Sequence, residues 1–338
     1  MNQLRTLQRR FDQVVLVAGG AGFLGSHLCE LLIEADCKVY CLDNFLTGSR
    51  ENLKVLSQHR RFELIEQDVC DPVPRSLRVD AIFNLACAAS PPRYQENPVH
   101  TMMTSVLGAR NLLEHALACN ARYVQASTSE VYGDPTEHPQ TETYWGNVNP
   151  TGPRACYDEG KRAAETLCFD YLRTRRVDVR VARIFNTYGP RMRQDDGRIV
   201  SNLICQALTG NPLTIYGSGE QTRSFCYVTD LIRGLSKLMS LEKNPEAPVN
   251  LGNPGEFTIN ELANLVLLLT GSGSPLTYQP LPADDPQRRR PDIGRAQDLL
   301  GWNPEVALSE GLPPTIEWFQ TNLEEACTAP PRSARLGG

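Results

Sequence analysis

Gly19, Gly22 and Gly25 form G-x-x-G-x-x-G directly behind the apolar run 14–18, and Leu24, Leu28, Leu31 and Leu32 follow at helical spacing. An apolar run, a glycine-rich turn and an amphipathic stretch in that order read as strand, tight turn and helix. No other feature of the chain narrows its fold as much. A helix N-terminus leaves its first amides without intrahelical acceptors, and glycine lets backbone approach a pyrophosphate held there. Asp43 closes a second apolar run, 39–42, and lies 18 residues beyond Gly25. A carboxylate at that place can accept hydrogen bonds from both adenosine ribose hydroxyls. It would repel a 2′-phosphate, and the neighbouring Asn44 and Phe45 offer no cation to hold one, so NAD is favoured over NADP. Asp68, after the run 62–65, is a candidate for the adenine edge or a plain strand-end turn.

Further apolar runs at 81–85, 123–126 and 179–185 alternate with helix-compatible segments. That alternation predicts an α/β fold, a doubly wound and mostly parallel Rossmann sheet covered by helices on both faces. Ligands in such sheets sit at the C-terminal ends of strands, where strand order reverses. Residues 1–187 are expected to form an NAD-binding domain that includes a Tyr/Lys helix. Residues 188–327, punctuated by Pro, Gly and Asn, read mainly as a smaller lobe that binds substrate and can return segments to the large domain. The Pro-, Arg-, Gly- and Ser-rich stretch 328–338 reads as a disordered tail.

Composition restricts the partner. Lys and Arg number 34 against 39 Asp and Glu, a net charge of −5 with no long basic run, which speaks against nucleic acid and for a small ligand. Eleven cysteines without a C-x-x-C pair read as reduced thiols, not as a disulfide framework or zinc site. The polar N-terminus lacks the apolar stretch of a signal peptide, and no apolar run approaches the roughly 20 residues that span a bilayer. A cytoplasmic protein is expected. His27, His59, His100, His115 and His138 show no paired ligand spacing, so no metal is expected, and structural or solvated roles suit them.

Tyr157 and Lys161 make Y-x-x-x-K, which on a helix places both side chains on one face. A tyrosine of ordinary pKa about 10 is a poor base at neutral pH, but a nearby ammonium and a positive nicotinamide ring stabilise its phenolate. Thr128, Ser129 and Glu130 follow the run 123–126, at the strand end where substrate should lie. A polar turn is the plain reading of them; a hydroxyl there can also share a proton with a sugar oxygen, and Glu130 can assist proton movement at the adjoining carbon.

Together these motifs resemble the extended short-chain dehydrogenase/reductase family of nucleotide-sugar enzymes, from Val14 to about Trp318. Longer strings resemble its UDP-glucuronate decarboxylase branch: ASTSEVYGDP at 126–135, NVNPTGPRACYDEGKR at 147–162, RIFNTYGPRM at 183–192, YGSGEQTRSFCYVTDL at 216–231 and RRRPDI at 288–293. The resemblance implies a cycle on UDP-glucuronate: oxidation of the sugar C4, loss of carbon dioxide from the resulting β-keto acid, and reduction of C4 to give UDP-xylose. It makes Tyr157 the base at the C4 hydroxyl, Lys161 its support and Thr128 part of the relay, with Ser129, Glu130 and Arg289 near the C5 proton. It extends the cofactor set to Phe23, Leu24, Asn44, Phe45, Thr47, Gly48, Val69, Leu85, Cys87 and Thr104, with Thr187 and Arg198 closing over it. It assigns Asn186, Arg191, Asn202, Tyr216, Arg223 and Arg289 to the UDP portion, where guanidinium forks suit a diphosphate. It also implies a homodimer paired through 98–118 and 157–176. Cys87 stands where relatives commonly carry serine, and Met103 where they often carry a lysine near the substrate. A 4,6-dehydratase shares Tyr157 and Lys161 but usually has Asp in place of Ser129. A 4-epimerase and a catalytically silent NAD-binding scaffold compete with the decarboxylase as well.

Overall fold

The computed structural model describes residues 13–281 and 288–328, with only the backbone of 324–328. Beyond residue 328 the stretch read as a tail lies outside the described residues. Strands β1 (Val14–Ala18), β2 (Lys38–Asp43), β3 (Phe62–Glu66), β4 (Ala81–Asn84), β5 (Arg122–Thr128) and β6 (Val179–Ile184) coincide with the apolar runs of the sequence. With β11 (Val249–Leu251) they form a seven-stranded sheet in the order β11-β6-β5-β4-β1-β2-β3. Every pairing in it is parallel.

Burial on both faces explains why these strands read as continuous apolar runs. In β1, Val15 and Val17 join the core on one face while Leu16 and Ala18 join the core on the other, as the twofold side-chain period of a strand requires. Helix α1 (Phe23–Glu34) covers the first face through Leu28 and Leu32. The second face is covered by α4 (Ala109–Cys119), through Leu112, Leu113 and Ala116, and by α5 (Ala155–Asp170), through Cys168. Ahead of α4 come α2 (Pro91–Glu96) and α3 (Pro98–Met103), joined to it by a π-helical turn, Thr104–Gly108. Strand order reverses beside β1, which opens a crevice at the carboxyl ends of β1 and β4.

After β6 the short strand β7 (Thr187–Tyr188) pairs in parallel with β10 (Cys226–Tyr227). Between them in sequence begins the smaller lobe, with α6 (Ile199–Leu208), the parallel pair β8 (Leu213–Tyr216) and β13 (Leu276–Gln279), and a three-stranded sheet. That sheet has the order β12 (Glu256–Thr258), β9 (Thr222–Ser224), β14 (Arg288–Arg289). Leu203, Ile204, Leu213, Leu262 and Val266 fill the core of the lobe. The chain also returns to the large sheet. Helix α7 (Val228–Ser240) packs Leu231, Ile232 and Leu235 into the first-face core, and β11 pairs with β6. Of the seven strands only β11 has no counterpart among the runs named from sequence; three residues between loop-forming segments carry too short a pattern to register. Among the described residues no helix is long and apolar enough to cross a membrane.

Candidate active site

The glycine turn is shaped by close approach. Gly19 adopts φ +78, and a Cβ there would lie 2.8 Å from backbone atoms of Leu85 and Ala86; one on Gly25 would lie 2.0 Å from the Gly19 carbonyl oxygen. Helix α1 begins behind Gly22 with no side-chain cap, so its first-turn amides are left to an anion. Asp43 is fixed by two backbone donors: Oδ2 accepts from the Ala21 amide at 2.9 Å and Oδ1 from the Phe45 amide at 2.8 Å. Carboxylate oxygens retain further acceptor capacity, which suits a ribose diol. Burial raises the Asp43 pKa and the two amides oppose it. Arg50 is a nearby cation that the sequence pattern does not signal; its guanidinium lies 4.2 Å over the Phe45 ring and pairs with Glu66.

At the far end of the crevice Asp68 accepts from Asn44 Nδ2 at 2.7 Å and from the Cys70 amide at 2.8 Å, and bonds His100 Nε2 at 2.8 Å. Burial works to raise its pKa, but these bonds together hold it below the ordinary value. His100 therefore belongs to the crevice wall, a place that histidine spacing alone did not signal. One ligand atom from each of Asp68, Cys70 and His100 falls within 4.8 Å of the others. The cradle of glycines, the uncapped helix start and the Asp43 carboxylate fit the pyrophosphate and ribose of NAD.

At the other end β5 delivers Thr128, which caps the short turn Ser129–Tyr132 by accepting from the Glu130 amide at 3.2 Å. Helix α5 presents Tyr157 and Lys161 one turn apart. Lys161 Nζ donates to the Ala126 carbonyl at 2.9 Å and lies 5.8 Å from the centroid of the Tyr157 ring. The Tyr157 ring stacks on Tyr94 with centroids 5.0 Å apart and planes at 3°. Burial pushes the Tyr157 phenol well above its ordinary value; the Cys87 thiol adds to that, and the hydrogen bond with Thr128 draws it down.

Glu130 is clamped by two guanidiniums. Arg289 reaches it from β14, bonding Oε1 and also Oε2 at 2.8 Å, and Arg154 bonds Oε2 at 2.7 Å. Burial opposes its ionisation, but Arg289 and then Arg154 overcome that and hold its pKa at about 2. Asp158 faces the same cluster, and burial with Glu130 nearby raises it to about 7. Behind the strand ends, Arg183 Nη2 grips Glu165 at 2.8 Å, Ser127 donates to the same carboxylate, and Tyr132 links Arg183 to Asn250.

Of the residues expected at the cofactor, all but Phe45 and Gly48 line one crevice, which also takes in Thr128, Ser129, Glu130, Asn186 and Arg191. Phe45 bonds Asp43 through its amide instead, and a Cβ on Gly48 would come within 2.8 Å of the Asp43 carboxylate. Arg191 pairs with Glu30 on α1 at 2.7 Å, and Asn202 donates to the Gly197 carbonyl at 3.1 Å. Tyr216 is half exposed, while Arg223 and Arg289 are register partners on β9 and β14. Met103 lies exposed on α3. Arg154, Asp158, Glu165 and Arg183 were given no role by sequence reasoning; the first two lie in the string around Tyr157 and Arg183 opens the one at 183–192.

The crevice and its Tyr–Lys pair on a doubly wound sheet define a nucleotide-cofactor enzyme, and the chain belongs to the NAD dependent epimerase/dehydratase family, which residues 15–252 match. It is 54% identical over 321 residues to UDP-glucuronic acid decarboxylase 1 of Xenopus tropicalis, covering 95% of this chain and 75% of that protein. It is likewise 54% identical over 310 residues to UDP-glucuronic acid decarboxylase 3 of Arabidopsis thaliana, covering 91% of this chain and 90% of that one. Among solved structures, the UDP-glucuronic acid 4-epimerase of Bacillus cereus in complex with UDP-glucuronic acid and NAD superimposes with a TM-score of 0.83 at 28% identity, over 91% of this chain and 99% of that chain.

Proposed function

We propose that this protein decarboxylates UDP-glucuronate to UDP-xylose with a recycled NAD. The observation that carries the reading is the meeting, at one end of the cofactor crevice, of the Tyr157–Thr128 pair with the Glu130–Arg154–Arg289 cluster. The curated relatives bearing the decarboxylase name support it. When bound, NAD supplies a reversible hydride acceptor for the sugar C4. Tyr157 takes the C4 hydroxyl proton and returns it, Thr128 relays it, and Lys161 supplies positive charge close by. The C4 ketone lies β to the C6 carboxylate, so carbon dioxide can leave as electrons flow towards the ketone oxygen, where Tyr157 and Thr128 donate hydrogen bonds. Arg289 draws the sugar carboxylate to this end of the crevice, and Ser129 orders the turn beside it. Asn186, Arg191, Asn202, Tyr216 and Arg223 are assigned to the UDP portion.

The protein works as a homodimer through helices in 98–118 and 157–176; Val99 and Met103, four residues apart on α3, are exposed apolar side chains on that segment. Ten free cysteines among the described residues suit the cytoplasm, where thiols stay reduced. The test is incubation of purified protein with UDP-glucuronate, following carbon dioxide and the nucleotide sugar by mass. Carbon dioxide, UDP-xylose and no net NADH are expected. Turnover of a neutral nucleotide hexose without carbon dioxide would instead establish an epimerase or a dehydratase.

A further inference from the structure

Arg289 enters the site from β14, a strand of two residues that pairs with β9 alone in its sheet. So short a ladder is a weak anchor for the backbone beneath a long side chain, and a binding guanidinium needs its support held still. The segment that follows Glu130 supplies a second anchor. Beyond the turn Ser129–Tyr132 it crosses to the smaller lobe, where His138 Nε2 bonds Glu256 of β12 at 3.2 Å and Gln140 bridges to Pro291, just past β14.

Gln140 is fully buried and holds Arg290 through both main-chain groups. Its side-chain Oε1 accepts from the Arg290 amide at 2.8 Å, and its own amide donates to the Arg290 carbonyl at 2.9 Å. Its carbonyl accepts from the Asp292 amide at 2.9 Å, while Pro291 between them has no amide to give. Gln140 Nε2 donates to the Glu137 carbonyl at 2.7 Å, which keeps Oε1 turned towards Arg290. Asn250 of β11, also fully buried, donates from Nδ2 to the Gln140 and Asp292 carbonyls at 3.0 Å each. One segment of the larger lobe thus grips Arg289 at two points: Glu130 holds the guanidinium, and Gln140 holds the backbone of the next residue.

We propose that Gln140 is a positioning residue for recognition of the sugar carboxylate, fixing the backbone beside Arg289 and so setting where its guanidinium meets the substrate. The inference rests on the decarboxylase reading above, in which Arg289 draws that carboxylate. A guanidinium offers its donors in a rigid fork, and Glu130 already engages both Nη1 and Nη2 of Arg289. A second carboxylate can share that fork only if the arm behind it stays in place. Without the Gln140 side-chain oxygen the Arg290 amide loses its acceptor, and the end of β14 is free to shift.

The experiment compares wild type with Gln140→Met, similar in length and able to keep the backbone bonds of residue 140, both intact and NAD-loaded. The KM for UDP-glucuronate and the inhibition constant of UDP-glucose, which carries a hydroxymethyl in place of the carboxylate, are read from carbon dioxide release. The variant should raise KM roughly tenfold while the UDP-glucose constant moves less than about twofold. In an Arg289→Ala background the same change should alter kcat/KM by less than about twofold. A further reading leaves residue 140 untouched. Carboxylate binding and the Gln140 contact strengthen each other by the same factor. In Tyr157→Phe enzyme, which holds UDP-glucuronate without turning it over, the Arg290 and Asp292 amides should therefore exchange hydrogen roughly fivefold more slowly with UDP-glucuronate than with UDP-glucose. Carbon dioxide release by wild type, with Gln140→Met raising both constants equally or neither, overturns the inference alone, as does a full loss in the Arg289→Ala background. Equal exchange with the two nucleotides also overturns it, whether or not the Met variant folds. Wild type that releases no carbon dioxide overturns the decarboxylase reading and this inference with it.

Discussion

Apart from the hydrogen bond of its hydroxyl with Thr128, Tyr157 is held by its ring, which stacks on Tyr94, while Lys161 is held separately by the Ala126 carbonyl. Tyr157→Phe should therefore fold and bind NAD as wild type does while losing roughly 10²- to 10⁴-fold in kcat, measurable by carbon dioxide release beside a cofactor titration. Asp43 gives the complementary prediction. Asp43→Ala should weaken NAD by about tenfold or more and narrow the preference for NAD over NADP, read by fluorescence titration of the two cofactors. The two buried carboxylates should also pull stability in opposite directions with pH. Glu130, lowered from 4.5 to about 2, stabilises the fold above about pH 4.5, and that contribution is lost as pH falls towards 2. Asp158, raised from 3.8 to about 7, favours the fold at low pH and loses that advantage as pH rises from about 4 through 7. Asp158→Asn should thus melt higher than wild type above pH 7 and lose that lead near pH 4; a gap independent of pH would contradict the raised value.

At the scale of elements, the parts legible in the sequence were those whose chemistry is local. A glycine turn, a strand-end acid and a Tyr–Lys pair on one helix face each declare themselves within a few residues, because backbone geometry and helical spacing fix them. The clamp on Glu130 does not, since its Arg289 partner lies 159 positions away. An arginine in a sequence does not name its partner, and Arg154 and Arg183 were given no role there. His100 was passed over for the same reason: its partner Asp68 sits on the far side of a crossover. Arg183 and Glu165 tie the end of β6 to α5, with their side chains only 12% and 10% exposed. Arg183→Ala leaves the carboxylate buried without its cation and should cost about 3–5 kcal/mol in urea unfolding. A paired apolar replacement of both should cost much less.

At the scale of the whole molecule, the strand pattern was enough to give the doubly wound sheet, but not the way the chain re-enters it. Helix α7 and β11 return to the large domain after the smaller lobe has begun, segments of the kind expected beyond 188 but not located in the sequence, so the lobes are joined by crossing segments. That arrangement brings Arg289 from the smaller lobe onto Glu130 of the larger one. Sedimentation at micromolar concentration should show a dimer, and monomer alone would contradict pairing through α3 to α5. The central claim, decarboxylation with the cofactor returned to its starting state, is tested most directly by turning over UDP-glucuronate in deuterium oxide and locating the label. The account predicts UDP-xylose with one solvent deuterium at C5 and the original hydrogen retained at C4; a product that keeps C6, or that carries solvent deuterium at C4, would contradict it.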